Sequence, residues 1–241
     1  MPIAVIAAMP EELAGLRSVA ERLEPVAAHP FAVVRGRIEG VDVLLAECGI
    51  GKVNAAALTQ ALLGSGAQRV IMTGVAGGVD PRLAVGDIVV SVDAVQHDVD
   101  VRALGYEAGR VPGEALLAWP ADPLLHAFAL AAATEVAAEA GVRALSGRVA
   151  SGDQFVADPE RVAALFAEFG AACAEMEGAA VAQVCARWGA PFVIVRSVSD
   201  TADHAAEVDF RAFTVLAADR SVAVVRGTLR RVHASVGADG A

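Results

Sequence analysis

Apolar runs of strand length alternate along this chain with stretches whose apolar residues recur at helical spacing. Ile3–Ala8 reads as a strand buried on both faces, and Glu11–Leu23 as a helix with Pro10 in its first turn, where a missing N–H costs nothing. Phe31–Ile38 and Val41–Glu47 form a predicted hairpin around Glu39-Gly40, followed by a helix over Val53–Leu63. Arg69–Thr73 is a short strand that runs into a glycine-rich turn, Gly74–Gly78. Asp87–Val95 is a further strand, and His97–Gly113 a polar loop bearing glycines. The second half gives a helix over Pro123–Ala140, a strand over Arg143–Ala150, a helix over Pro159–Phe169 and a brief strand over Ala171–Ala174. It closes with a helix over Gly178–Trp188, a strand over Pro191–Val198 and a last helix over Phe210–Val232. This alternation predicts an α/β fold: one three-layer α/β/α domain over residues 1–234 with a central mixed sheet, and a flexible tail over 235–241. No internal repeat and no linker divides it.

Composition narrows the partners. With 241 residues, 56% of them apolar and 20% charged, the chain can bury a large core and is not disordered. A net charge of −10 without any Lys/Arg cluster argues against nucleic acid or an anionic membrane as partner. Cys48, Cys173 and Cys185 are odd in number and lack metal-ligand spacing, so they read as small buried hydrophobes in a reducing compartment. The 5 histidines form no HxxxH or HExxH pair, so no metal is expected. The first apolar run is short and lacks a basic flank, unlike a signal peptide. Leu124–Ala138 contains His126 and Glu135, unlike a membrane span. A soluble cytoplasmic protein is the expectation.

Three acidic segments stand at the edges of apolar runs. In Ala174-Glu175-Met176-Glu177-Gly178, two carboxylates sit two residues apart among small apolar residues. An unpaired buried charge is costly, so each needs a partner. Alternation in an extended segment sends both the same way. One can accept hydrogen bonds from vicinal hydroxyls while the other pairs with a cation such as Arg196; an ordinary buried ion pair is the alternative. Glu12 lies in a first helical turn, where the helix dipole alone favours an acid by roughly 0.3–1 kcal/mol. The same carboxylate could instead polarise a water. Asp200, after Ser199, reads either as a turn or N-cap aspartate or as a general acid. Gly49-Ile50-Gly51-Lys52-Val53-Asn54 matches neither a P-loop nor a dinucleotide fingerprint and reads as a tight strand-to-helix turn. Gly74–Gly78 either turns the chain or lets backbone approach a ligand. All these segments follow predicted strands, and in open α/β sheets ligands bind at the carboxyl ends of strands.

In order along the chain, Ala8-Met9-Pro10-Glu11-Glu12, Gly49-Ile50-Gly51-Lys52-Val53, Thr73-Gly74-Val75-Ala76-Gly77-Gly78 and Val85-Gly86-Asp87-Ile88-Val89-Val90 form a set. His97-Asp98-Val99-Asp100-Val101 with Gly105-Tyr106, Ser151-Gly152-Asp153-Gln154-Phe155, Glu175-Met176-Glu177 and Arg196-Ser197-Val198-Ser199-Asp200 complete it. From Ile3 to about Ala218 the chain thereby resembles the 5′-methylthioadenosine/S-adenosylhomocysteine nucleosidases of the nucleoside phosphorylase/hydrolase superfamily. The resemblance implies a nucleoside phosphorylase-like fold and hydrolysis of an adenine nucleoside without metal or organic cofactor. It implies that Glu12 activates the attacking water and that Asp200, supported by Ser199, protonates adenine N7. Glu177 would hold the ribose hydroxyls with Met176 against the sugar, Phe155 and the Val156 backbone would meet adenine, and Gly77 would belong to the same pocket. Met9, Ile50 and Phe210 would line the 5′ pocket, which Val101, Leu104, Tyr106 and Pro112 from the partner subunit of a homodimer would close.

Three departures from the family pattern bear on substrate preference. Val75 stands where Ser is usual, Pro10 where an acid is usual, and Leu104 where Phe is common. The rivals are a phosphorylase of the same fold, an aminodeoxyfutalosine hydrolase, and a nucleoside-binding module without catalysis. A phosphorylase needs arginines for phosphate. None lies in or beside the Met9–Glu12, Gly49–Lys52 or Gly74–Gly78 segments, although Arg82 is near enough to fold back.

Overall fold

The computed structural model describes residues 2–26, 31–200 and 206–238, with side chains in the last helix from 217 to 236. The first half runs β1 (Ile3–Ala7), α1 (Pro10–Val19), β2 (Glu21–Pro25), β3 (Val33–Ile38), β4 (Val41–Glu47), α2 (Lys52–Gly64), β5 (Arg69–Gly78) and β6 (Ile88–Gln96). A 3₁₀ turn at Arg102–Leu104 lies in the long loop that follows. The second half runs β7 (Ala118–Pro120), α3 (Pro123–Ala140), β8 (Ala144–Ser151), α4 (Pro159–Phe169), β9 (Ala171–Glu175), α5 (Gly178–Trp188), β10 (Phe192–Asp200) and α6 (Ala206–Ala238). Local chemistry sets the sharpest boundaries. The side chains of Asp122 and Asp158 accept backbone N–H bonds at the starts of α3 and α4, and each is followed by proline in the first turn.

The strands form one mixed sheet in the order β10-β6-β8-β9-β5-β1-β4-β3-β2, with β7 on β6, and β10 also pairs with β5. Five strands therefore close a circuit: β5, β10, β6, β8 and β9. On one edge of β5, β1 pairs only with Arg69–Met72, and β9 pairs only with Gly77–Gly78. Thr73–Ala76 have no strand partner on that edge. The sheet splays open there.

Side chains alternate across the sheet into two cores. Ile3, Val5 and Ala7 of β1 meet Leu13 and Leu16 of α1, with Ala129 of α3 and Val225 of α6 in the same cluster. Ala4 and Ile6 face the other way, into a core shared with Leu58 and Leu62 of α2 and Val181 of α5. A smaller core lies under α4, around Leu165, Phe169 and Val95. Helices α1, α3 and α6 thus cover one face of the sheet, and α2, α5 and α4 the other. No helix among the described residues is long and apolar enough to cross a membrane.

The structure departs from the sequence reading in several places, among them the short strand β7, absent from that reading, and an earlier start of the last helix. The first predicted helix stops at Val19, and Glu21–Pro25 becomes a strand on the outer edge of β3. Beyond Leu16 the helix has no apolar face left to bury, and the free edge of β3 captures the chain. Gly74–Gly78 is the end of β5, not a turn: Gly74–Gly77 pair with β10 and Gly77–Gly78 with β9, which overrides the glycines' weak strand propensity. Strand pairing likewise carries Glu175, opposite Ser151 of β8, and Asp200, opposite Gly77 of β5, into the last positions of their strands. Helix α6 continues past Ser235 to Ala238, and residues 239–241 lie outside the described residues.

Leu16 is fully buried between α1 and the sheet. Leu16→Ala is expected to lower the unfolding free energy by about 2–5 kcal/mol, the usual range for truncating a buried leucine. Chemical denaturation of the two proteins measures it.

Candidate active site

The splay in the sheet is where the three acidic segments meet. Glu12, in the first turn of α1, is buried and spends both oxygens on backbone. Its Oε2 accepts from the N–H groups of Ala8 and Met9, each at 2.9 Å, and its Oε1 from that of Val75, also at 2.9 Å. The Val75 donor belongs to the unpaired edge of β5, so the carboxylate satisfies a strand that has lost its neighbour. Burial raises the pKa of Glu12 above the usual carboxylate range, against the pull of Arg196 and the three N–H groups. Gly74 (φ +152°) makes the approach possible. A Cβ there would lie 2.3 Å from an Arg196 guanidinium nitrogen and 2.4 Å from Glu12 Oε1.

Glu175 and Glu177 both face Arg196, a fully buried cation at 1% exposure. Glu175 is wholly committed to structure. It pairs directly with Arg196, accepts from the Ser151 hydroxyl, and accepts the N–H of Gly178 at the start of α5. Glu177 is held more loosely. Arg196 reaches it only at 3.4 Å, and the Gly51 N–H donates to its Oε1 at 2.8 Å. Burial first, and then the neighbouring Glu175 charge, raise the pKa of Glu177, while Arg196 pulls it down. Arg196 stays charged: burial works against its proton, but Glu175, Glu177 and Glu12 outweigh that cost and raise its pKa. Both carboxylates therefore share Arg196 and both border the cavity, Glu175 as the direct pair and Glu177 at the longer distance.

At the end of β10, the Ser199 hydroxyl donates to Asp200 Oδ2 at 2.8 Å, and both residues are buried. Gly77 is paired with Asp200 on one side and with Ala174 on the other. These groups line one cavity of about 340 Å³. Glu12, Asp200, Ser199, Met9, Gly77, Val156, Met176 and Glu177 all border it, with Ile50 and Phe155 half-exposed at its rim. Its volume is at the small end of the range for small-molecule sites. Ala8, Val75, Ala76, Gln154, Ala174, Glu175 and Arg196 complete the wall.

Other expected site residues lie elsewhere. Val101, Leu104, Tyr106 and Pro112 do not line this cavity; Leu104 and Tyr106 are exposed on the loop after β6. The Phe210 side chain lies outside the described residues. Arg82 does not fold back: it is exposed and forms a forked pair with Asp80. Sequence reasoning gave no role to Ser151, to the N–H groups of Ala8, Val75 and Gly51, or to Gln154. Backbone donors leave no signature in a side-chain pattern. Ser151 was visible only as the first residue of the Ser151–Phe155 segment that carries the family resemblance.

The phosphorylase superfamily profile matches residues 2–230. A 5′-methylthioadenosine/S-adenosylhomocysteine nucleosidase of Geobacillus thermodenitrificans is 44% identical over 236 residues, covering 97% of this chain and 98% of that protein. Among solved structures, the nucleosidase of the same name from Neisseria meningitidis, in complex with methylthio-immucillin-A, superposes with a TM-score of 0.88 at 38% identity, covering 95% of this chain and 99% of that one. The native futalosine hydrolase of Helicobacter pylori superposes with a TM-score of 0.88 at 33% identity, covering 96% and 98%. The nucleoside phosphorylase-like fold expected from the sequence is therefore the one observed. On this identity and coverage, and with its three acidic segments gathered around one cavity, the chain belongs to the 5′-methylthioadenosine/S-adenosylhomocysteine nucleosidases of the phosphorylase superfamily.

Proposed function

We propose that the protein hydrolyses the N-glycosidic bond of 5′-methylthioadenosine and S-adenosylhomocysteine, releasing adenine and the 5-thioribose. One observation carries the choice of water over phosphate. The only cationic side chain on the cavity wall, among the described residues, is Arg196, and it is already committed to Glu175 and Glu177. A phosphorylase needs uncommitted cations for its anionic nucleophile.

In this reading the C1′–N9 bond breaks as water adds to C1′. Glu12 takes the proton from that water, and Asp200 delivers one to adenine N7. Glu177 accepts hydrogen bonds from the ribose hydroxyls and so aligns C1′ with the water. The logic parallels glycoside hydrolysis, in which two carboxyl groups serve a transition state of oxocarbenium character. Met9, Ile50 and Phe210 would border the 5′ substituent, with Phe155 and Val156 at adenine and Met176 at the sugar. Gly77 lies between them, without a side chain to obstruct. The exposed Leu104 and Tyr106, with Val101 and Pro112, would close the partner's 5′ pocket in a homodimer, since exposed apolar groups on an irregular loop mark an interface. A cytoplasmic site of action accords with the three buried thiols. A second reading, hydrolysis of aminodeoxyfutalosine, is favoured by the exposed rim at Ile50, which would border the 5′ substituent and leaves room for a bulkier group there. Adenine release from a panel of 5′-substituted adenosines, with and without phosphate, decides among these. The proposal requires release in phosphate-free buffer.

Glu12→Gln is expected to lower kcat by about 10²–10⁴-fold. Glu11→Gln, on the exposed side of the same turn, should cost far less, so equal losses would refute the assignment. Because the pKa of Glu12 is raised, the acid limb of the kcat/KM profile should lie above the usual carboxylate range, with activity falling as pH drops through it. Asp200→Asn should remove most turnover while nucleoside binding persists, which calorimetry and kinetics separate. Val101→Asp should weaken dimerisation and turnover together; light scattering that found a fully active monomer would exclude the shared pocket.

A further inference from the structure

We infer that Lys52 is a positioning residue that holds the sugar-facing carboxylate Glu177 in place from outside the cavity. The inference rests on the hydrolase reading above and adds a residue to it that touches no substrate.

Lys52 opens α2, directly after Gly51, whose N–H donates to Glu177 Oε1 at 2.8 Å. That bond is the closest contact the structure gives Glu177, since Arg196 approaches it only at 3.4 Å. The orientation of Glu177 therefore depends on where the Gly49–Lys52 turn sits. Gly51 has φ +103°, a conformation other residues rarely adopt, so the turn is not set by local preference alone.

Lys52 fixes that turn through a closed ring of three segments. Its Nζ donates to Asp98 Oδ1 at 2.6 Å and to Gln96 Oε1 at 3.0 Å, both at the end of β6 and the start of the loop beyond it. Asp98 Oδ2 accepts the Asp153 N–H at 2.9 Å, and Asp153 Oδ1 accepts the Lys52 N–H at 2.8 Å. The ring thus joins the turn before α2, the loop after β6 and the loop after β8. Two of these border the proposed pocket directly, at Ile50 and at Gln154–Val156, whereas the loop after β6 carries Val101, Leu104 and Tyr106, which lie off this cavity and on the homodimer reading would close the partner's. The ammonium and the Asp98 carboxylate are both mostly sheltered from solvent, so the pair is screened less than a surface ion pair. Without the cation, Asp98 and Asp153 would face each other and the helix turn with no counter-charge from Lys52, and the Gly51 donor would be free to drift from Glu177.

The test is hydrolysis of 5′-methylthioadenosine and of its 2′-deoxy counterpart by the full-length native protein, Lys52→Met and Asp98→Asn. Phosphate-free adenine release by the native protein checks the underlying reaction; its absence would sink the hydrolase reading itself. Given native activity, Lys52→Met should lower kcat/KM for 5′-methylthioadenosine by about 10²-fold, the scale of an ångström-sized misplacement. It should also reduce the preference for the ribose over the deoxyribose substrate by about tenfold, a change that general destabilisation would not produce. Asp98→Asn, which removes the same ion pair from its other end, should shift that preference in the same direction. In a Glu177→Ala background, adding Lys52→Met should leave the preference where Glu177→Ala alone puts it. Thermal unfolding establishes that each variant is folded at the assay temperature. Folded variants that keep the native ribose preference would overturn the proposal.

Discussion

One guanidinium balances three carboxylates at the centre of this protein. Arg196 is buried beside Glu175, Glu177 and Glu12, and the structure offers no second cation on the cavity wall among the described residues. Glu175 takes the direct pair, and the other two carboxylates are left with raised pKa values, Glu177 with a longer contact to the same cation and Glu12 with its field alone. A buried ion pair by itself is weak evidence for stability, because desolvation offsets much of its attraction. Its value here is placement. Glu175 anchors Arg196 and the start of α5 at once, and the deficit of positive charge falls on the space between Glu12 and Glu177. On the proposed reading, such a space would disfavour an anionic nucleophile and favour a sugar that gains positive charge as its bond breaks.

The sheet makes that cluster possible. Neighbouring strands normally consume each other's backbone groups, leaving none for a ligand. Here β1 leaves β5 after Met72 and β9 joins only at Gly77, so four residues of β5 present an open edge at the middle of the fold. Glu12 fills part of this opening by accepting the Val75 N–H. The proposed base is thus also a structural plug. Gly74 is the narrowest point, where any side chain would collide with both Glu12 and Arg196.

The sequence made much of this legible, and for identifiable reasons. Helices that open on a proline, such as the Ala-rich Pro123–Ala140 and the amphipathic Pro159–Phe169, were readable to the residue. The acidic segments stood out because carboxylates among alanines demand partners, and Arg196 was one cation that could supply a partner for Glu175 or Glu177. What escaped reading depended on distant chain. The edge strand Glu21–Pro25 exists because β3 has a free side, and Gly74–Gly78 is extended because β10 lies beside it. The ring through Lys52, Asp98 and Asp153 joins residues that are 46 and 101 positions from Lys52 along the chain, and no local pattern announces it.

The edge strand has a consequence of its own. Closing five strands into a circuit removes most of the open sides of this sheet, and β2 terminates what is left at one end. β2 is fully exposed, carries Glu21, Arg22 and Glu24, breaks register between Glu21 and Glu24, and ends in Pro25. Charge, a bulge and a missing donor are the devices by which natural sheets refuse a further strand. A chain that is more than half apolar and has ten strands among its described residues is thereby discouraged from adding a further strand at this edge. Resistance to edge-to-edge association at that end of the sheet thus rests on five residues far from the cavity.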